Sequence, residues 1–333
     1  MTDASAIHRS ILAIDTHIDI PWPEGPSFFD ETKRRVDLPK MKRGGMGAGC
    51  FAAYVPQGPR TPETGEANFA RTTAMLQAIN AMGRDGARAC HSAAAIEAAH
   101  RDGFTAIVPC VENGHACGGE PARLRAFREL GATYLTVTHF GHNALGDSSN
   151  PRQDLNDPAE EHGGLSPLGR TAIAELNRLG MMVDIAHAAR KTMMQAAELS
   201  RTPVLSTHSC IKALCDNPRN LDDEQLDIIA SVHGVVQVTA VPAFLRAGKK
   251  AEEVTIADYA DHVDYAVKRI GLEHVGISSD FDGGGGFVGW RDAGESENVT
   301  AELLRRGYDA RDIALLWGGN FLRVMRAAEA AAG

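Results

Sequence analysis

Short apolar runs alternate with amphipathic stretches along the whole chain. Eight runs read as strands: residues 11–20, 49–55, 104–111, 133–139, 181–187, 203–208, 234–241 and 274–280. Apolar residues fill both faces of most runs, the pattern of parallel strands buried on two sides. Between them a 3.6-residue period predicts helices over 63–82, 93–101, 121–130, 167–179, 191–199, 222–231 and 256–270. Two further helices, over 299–306 and 311–330, close the chain. Pro121 stands where a first helical turn tolerates proline, and Gly180 stands where a helix ends in a left-handed cap. The polar stretch 147–164 reads as a long loop, and such loops in compact domains are often functional.

Strand and helix alternating eight times predict an α/β fold with a parallel sheet closed as a (β/α)8 TIM barrel. All 333 residues fit one such domain, spanning 1–333. A doubly wound open sheet is the alternative, but the glycine fingerprint of dinucleotide binding is missing.

Composition narrows the function. Hydrophobic residues make up 44% and charged residues 23%, the mix of a globular protein able to bury its core without staples. A net charge of −9 with no basic stripe argues against a nucleic-acid partner. Six scattered cysteines with no CxxC pair read as reduced thiols and not as a zinc site. Residues 1–9 are polar and carry no secretory pattern, and no apolar run reaches spanning length. A cytoplasmic location without a membrane partner is the expectation. If the chain associates, a homodimer is expected, since symmetric dimers are the commonest assembly.

Chemistry concentrates at the ends of the predicted strands. His17 and Asp19 close the first, Glu112 follows the third, and His139 ends the fourth. His187, His208 and Asp280 end the fifth, sixth and eighth. In a barrel these positions form the C-terminal rim, where catalytic groups sit. Imidazole nitrogen and carboxylate oxygen are the donors that catalytic zinc accepts. His17 and Asp19 project to one side, because side chains alternate along a strand. Glu112 has two oxygens with which to bridge two ions. Two metals about 3.5–4 Å apart can share a hydroxide and clamp a tetrahedral intermediate.

One histidine at a strand end is more often structural than functional. Seven groups from six strands aimed at one mouth are harder to explain that way. Asp15, on the side of His17 and Asp19, has the placement of a further ligand, but the preferred reading is a group that orients His17. His142 and His162 fall in loops, and His91, His100, His115, His233, His262 and His274 read as structural or solvated. Met181, Met182, Met193 and Met194 read as core. Residues 283–286 are all glycine with no Lys-Ser or Lys-Thr behind them, so they suit close approach to a substrate and not phosphate binding.

The ordered motifs are Asp15-Thr-His17-Ile-Asp19-Ile-Pro21, Val111-Glu112-Asn113-Gly114, Leu135-Thr-Val-Thr-His139 with Asn143, and Asp147-Ser148. Gly164-Leu-Ser-Pro167-Leu-Gly169, Leu176 through His187, and Ser206-Thr-His208-Ser209 follow. Then come Asn217-Pro-Arg219-Asn220, Gly276-Ile-Ser-Ser-Asp280-Phe-Asp282-Gly283 and Trp317-Gly-Gly-Asn320. Together they resemble the membrane (renal) dipeptidases, peptidase family M19, a branch of the amidohydrolase-like metal barrels.

That resemblance implies a zinc dipeptidase acting on short L-Xaa-L-Xaa and L-Xaa-D-Xaa dipeptides with two Zn2+ per chain, other divalent metals being acceptable to the same donors. It implies that His17 and Asp19 hold one ion, His187 and His208 the other, and Glu112 bridges them. His139 would stabilise the developing oxyanion. Arg219 would pair with the dipeptide carboxylate, and Asp280 would carry the proton from water to the leaving amine. The stretch 239–244, Thr-Ala-Val-Pro-Ala-Phe, lacks the polar pattern of the mammalian members. Two other functions use the same features: a dinuclear hydrolase opening a lactone or β-lactam, and a non-catalytic binding barrel. A carboxylate-bearing substrate needs Arg219, and a binding protein has no need of a full ligand set.

Overall fold

In the computed structural model, which describes residues 3–333, parallel strands wind round an almost closed barrel. They are β1 (Ala13–Asp19), β2 (Met46–Tyr54), β3 (Ala87–Ala89), β4 (Thr105–Glu112), β5 (Tyr134–Thr136), β6 (Met182–Asp184), β7 (Leu205–Ser209), β8 (Val235–Val238) and β9 (Val275–Ile277). Eight run in the order β1-β2-β4-β5-β6-β7-β8-β9, and β3 pairs only with β4, off the barrel path. The ring closes where Ile18 bridges Phe281: Asp19 N–H donates to the Phe281 carbonyl at 3.0 Å and Asp280 N–H to the His17 carbonyl at 3.2 Å. The predicted (β/α)8 TIM barrel is the fold.

The helices form where the capping chemistry stands. Ser166 accepts from Gly169 N–H to open Pro167–Leu179, and Gly180, at φ 67°, closes it. Asp222 and Gln225 make a reciprocal capping box ahead of Asp223–Ser231. Glu302, Val299 and Leu303 turn inward from Glu297–Arg306.

Several boundaries differ from expectation. The segment 121–130 starts as a 3-10 turn, Pro121–Arg123, before the α-helix Leu124–Glu129. The last predicted helix is three pieces: Ala310–Ala314, a wider π-type turn Leu315–Gly319, and Asn320–Ala330. The turn lies against β1: a Cβ on Gly318 would stand 2.6 Å from the Leu12 carbonyl oxygen. Bare backbone at that point lets the chain pass. Short elements outside the prediction include Ala4–Ser10, Leu38–Arg43 and β3. None is long enough to display a period, and the two helices are set by their caps, Asp3 and Asp37.

One apolar cluster includes Ile107, Leu176, Val236 and Trp317, and a second gathers Ile14, Val108, Tyr134, Met182 and Val235 with the final helix. Met181, Met182 and Met193 are fully buried, and Met194 packs on the core from its edge. Among the described residues no helix is long and apolar enough to cross a membrane.

Candidate metal and substrate site

His17, Asp19, Glu112 and His208 sit in the last turns of pleat of β1, β4 and β7. His139, His187 and Asp280 do not end strands, as expected from sequence. Each lies three residues beyond one, since β5, β6 and β9 stop at Thr136, Asp184 and Ile277. His187 and Asp280 take left-handed backbone, φ 64° and 56°, which turns their side chains back over the barrel mouth. Asn113 and Asp282 share that conformation, φ 79° and 65°.

The side chains nevertheless converge on Glu112. Its Oε2 lies 3.5 Å from His17 Nε2; its Oε1 lies 3.3 Å from His187 Nε2, 3.5 Å from His208 Nε2 and 3.8 Å from His139 Nε2. Two triads share the glutamate: His17, Glu112 and His208, and Glu112, His139 and His187. That grouping cuts across the pairing inferred from the resemblance, which joins His187 to His208. The two arrangements meet where His187 Nε2 and His208 Nε2 face each other at 2.8 Å.

That approach tests whether the donor set fits a cation. Burial, helped by the nearby Arg219, pushes both imidazoles well below the usual histidine range, so both are neutral. His208 Nδ1 is taken up by Thr207, leaving its Nε2 as a lone pair. Burial alone would lower His17 as well, yet Glu112, with Asp280 and Asp19 behind it, pushes His17 up to about 10. Asp19 Oδ1 is buried without a hydrogen-bond partner, and burial and Glu112 push its carboxyl up to about 7. A cluster of carboxylates that draws positive charge to itself, with lone pairs aimed inward, fits a divalent ion.

Behind the cluster the structure corrects one expectation. Asp15 does not orient the His17 ring. Its carboxylate accepts from His17 main-chain N–H at 3.3 Å, from Ser279 N–H at 3.0 Å and from the Ser279 hydroxyl. It therefore ties β1 to the chain after β9 at the barrel seam. The ring meets the Tyr134 hydroxyl instead, at 3.0 Å from Nδ1.

In front of the cluster lies a cavity of about 340 Å3, lined by Glu112, His139, Arg219 and Asp280 among others. Arg219 is 3% exposed, donates from Nη2 to the His208 carbonyl at 3.0 Å and stacks 5.3 Å from the centre of the Phe244 ring. Its Nε has no hydrogen-bond partner, and Asp280 and Glu112 act on the guanidinium through space without pairing with it. Burial holds it down to about 10, so it remains charged. Burial also pushes Asp280 well above the usual carboxylate range, with Asp19 and Glu112 adding to the effect against His17 and Arg219. His139 is pushed down to about 4 by burial, leaving a neutral ring at the cavity wall.

Val241 and Phe244, from the 239–244 stretch, line the wall as expected of that stretch, and sequence reasoning missed Tyr54 and Phe140 beside them. Tyr54 ends β2 and packs 4.7 Å from His139, centre to centre. The strand-end rule that found the histidines would have found it, had phenol been counted with the ionisable groups. His142, His162, His262 and His274 each make hydrogen bonds within the fold, as their structural assignment expects.

A parallel barrel whose mouth gathers imidazoles and carboxylates around a substrate-sized cavity defines a barrel hydrolase of the metal-dependent kind. Comparison with known proteins makes the class definite. The family model described as membrane dipeptidase, peptidase family M19, matches residues 1–333. Dipeptidase aclJ of Aspergillus oryzae is 32% identical over 304 residues, covering 89% of this chain and 70% of that protein. The probable dipeptidase PvdM of Pseudomonas aeruginosa superposes with a TM-score of 0.92 at 30% identity, covering 99% of this chain and 98% of that one. A metallo peptidase from Rhodobacter sphaeroides, solved with a phosphinate mimic of L-Ala-D-Ala, gives 0.78 at 26% identity, covering 96% and 99%. The chain belongs to the membrane dipeptidase family, M19, and is a metal-dependent hydrolase of dipeptides.

Proposed function

We propose that the whole chain acts as one zinc dipeptidase domain that cleaves short L-Xaa-L-Xaa and L-Xaa-D-Xaa dipeptides. One observation carries the substrate assignment: a buried, charged Arg219, hydrogen-bonded to no carboxylate, faces the same cavity as the Glu112 cluster. A buried guanidinium without a hydrogen-bonded carboxylate is costly, and a ligand carboxylate relieves it with paired hydrogen bonds. The cavity is at the small end of ligand pockets, roughly 300–1,000 Å3. That volume suits a substrate of two residues.

His17, Asp19, Glu112, His187 and His208 would hold two Zn2+ ions, with Glu112 shared between them. When bound, such ions supply Lewis acidity, acidifying water and polarising a carbonyl. The chain's own groups do the rest. Arg219 fixes the C-terminal carboxylate and so sets the scissile bond against Glu112. His139, neutral at working pH, donates from its ring N–H to the carbonyl oxygen as negative charge grows there. The carboxyl of Asp280 takes the proton of the attacking water and passes it to the leaving nitrogen; its buried setting favours the protonated form between those two events. Tyr54, Phe140, Val241 and Phe244 line the wall against which the substrate side chains would pack.

A small panel tests this. L-Ala-D-Ala, L-Ala-L-Ala, their C-terminal amides and a simple lactone are assayed with metal content measured on the same sample. Turnover of the free dipeptides with close to two zinc ions per chain is expected, and Arg219→Ala should lose about 1.5–3 kcal/mol of kcat/KM on them, mostly in KM. Equal activity on the amides would remove the carboxylate role, and turnover of the lactone alone would replace the dipeptidase assignment.

A further inference from the structure

An imidazole holds a metal through a nitrogen that carries no proton, so its other nitrogen must keep one. In most such sites a carboxylate or a main-chain carbonyl accepts that proton and fixes the tautomer. Here two neutral hydroxyls stand in that position. Tyr134 Oη lies 3.0 Å from His17 Nδ1 and Thr207 Oγ1 lies 2.8 Å from His208 Nδ1.

A hydroxyl can accept or donate towards a ring nitrogen, and the remaining contacts decide which. Tyr134 has one proton and gives it to the Thr16 carbonyl, 2.9 Å away. A carbonyl can only accept, so the phenol oxygen must receive from His17 Nδ1–H. Thr207 gives its proton to Asp184 Oδ2 at 2.7 Å. That carboxylate also collects Thr136 Oγ1 at 2.6 Å, Thr207 N–H at 2.9 Å and Ala186 N–H at 3.1 Å, donors all. Thr207 Oγ1 must therefore receive from His208 Nδ1–H. Both rings therefore carry a proton on Nδ1, and Nε2 is the nitrogen turned to Glu112. Both relays are buried: Tyr134, Asp184 and Thr207 are 0% exposed. His187 has no such device, since its Nδ1 is buried without a partner.

We propose that Tyr134 and Thr207 are positioning residues whose hydroxyls lock His17 and His208 in the Nδ1–H tautomer and so preset both Nε2 lone pairs for metal. Hydroxyls suit the place. Glu112, Asp19 and Asp280 already crowd the centre with carboxyl groups, and another charged acceptor at the His17 ring would add repulsion there. At His208 the charge of Asp184 is held one hydroxyl away.

The inference rests on the assignment of His17 and His208 as metal holders, and the test separates the two. In the full-length protein, zinc affinity is measured by competition with a chelator for Tyr134→Phe, Thr207→Val and Thr207→Ser, and His17→Ala and His208→Ala serve as controls. Loss of an outer partner typically weakens metal binding about 10–100-fold. That loss is expected for Tyr134→Phe and Thr207→Val, with Thr207→Ser close to the native value because it keeps the hydroxyl. In 15N spectra of the zinc-loaded native protein, His17 and His208 should both show Nδ1–H, with the His17 signal lost or exchanging in Tyr134→Phe. Native affinity in both hydroxyl-free variants overturns the proposal, as does an Nε2–H tautomer at either ring. A loss in Thr207→Ser equal to that in Thr207→Val also overturns it, because packing would then be the cause. Should Tyr134→Phe not fold, the Thr207 pair decides alone. Unchanged zinc content in the histidine controls would instead overturn the ligand assignment itself.

Discussion

The barrel mouth and the apolar clusters beneath it obey opposite rules. Below, Ile14, Val108, Met182, Leu205 and Val235 are fully buried with nothing to satisfy but packing. Above, Asp15, Asp184, His187, His208 and Arg219 are just as deeply buried and ionisable. Four non-glycine residues there, Asn113, His187, Asp280 and Asp282, hold left-handed backbone. Such conformations cost of order 1–3 kcal/mol each and persist only where the surroundings impose them. The lower region stabilises the fold, and the upper region spends part of that stability on placing charge where water cannot screen it. The difference teaches that burial by itself says nothing about role; what matters is whether each buried group has its partner inside the chain.

The comparison can be broken at its strongest point by Glu112→Gln. Activity and zinc content should both collapse, while the melting temperature of the metal-free protein should move by only a few degrees. A large loss of metal-free stability would make Glu112 a structural residue first. His139→Ala should lower kcat about 10²–10³-fold, the cost of one oxyanion donor, with zinc retained. Zinc loss there would make His139 a ligand, as its triad with Glu112 and His187 allows. Leu176→Ala, in the lower region, should cost about 2–5 kcal/mol of stability and leave kcat/KM per folded molecule unchanged. A change in kcat/KM would show that the two regions are mechanically continuous.

The smallest effect is in pH. Burial pushes His8 and His262 down to about 4. Ile211 N–H donates to His262 Nδ1 at 3.0 Å, which only a neutral ring permits. In the unfolded chain these rings take protons near 6.5, so between that pH and 4 the unfolded state binds more protons than the folded one. Stability should therefore fall as pH drops through that window. Melting curves of metal-free native protein and His262→Gln from neutral to pH 4 check this. The variant should show the shallower decline, and parallel curves would remove His262 from the account.

Much of this is legible in the sequence. The alternation of apolar runs with caps and glycine stops is dense enough to give eight barrel strands, and only β3, three residues with Arg88 at its centre, was too short to register. His17, Asp19, Glu112 and His208 were legible because they lie within strands, where period-two geometry extends to the last residue. For His139, His187 and Asp280 the convergence was foreseen but its means was not. The strands stop early, and turns with positive φ do the aiming, which hydrophobic period does not encode. Asp15 misled for a related reason. Sequence shows that it shares a side with His17, but not that Tyr134, from β5 across the barrel, reaches the ring first.

The glycine run after β9 sets the terms for redesigning this enzyme. A Cβ on Gly283 would fall 2.4 Å from Asp280 Oδ1 and 2.5 Å from Asp19 Oδ2, so any side chain there would drive a wedge between two acids. At Gly284 a Cβ would meet nothing closer than Asp280 Oδ2 at 3.7 Å and Val241 at 3.9 Å. One residue is thus a fixed gauge of the distance between those carboxyls, and its neighbour is an open doorway. Libraries aimed at new substrates belong at 284, with 241 and 244 opposite, and should leave 283 untouched.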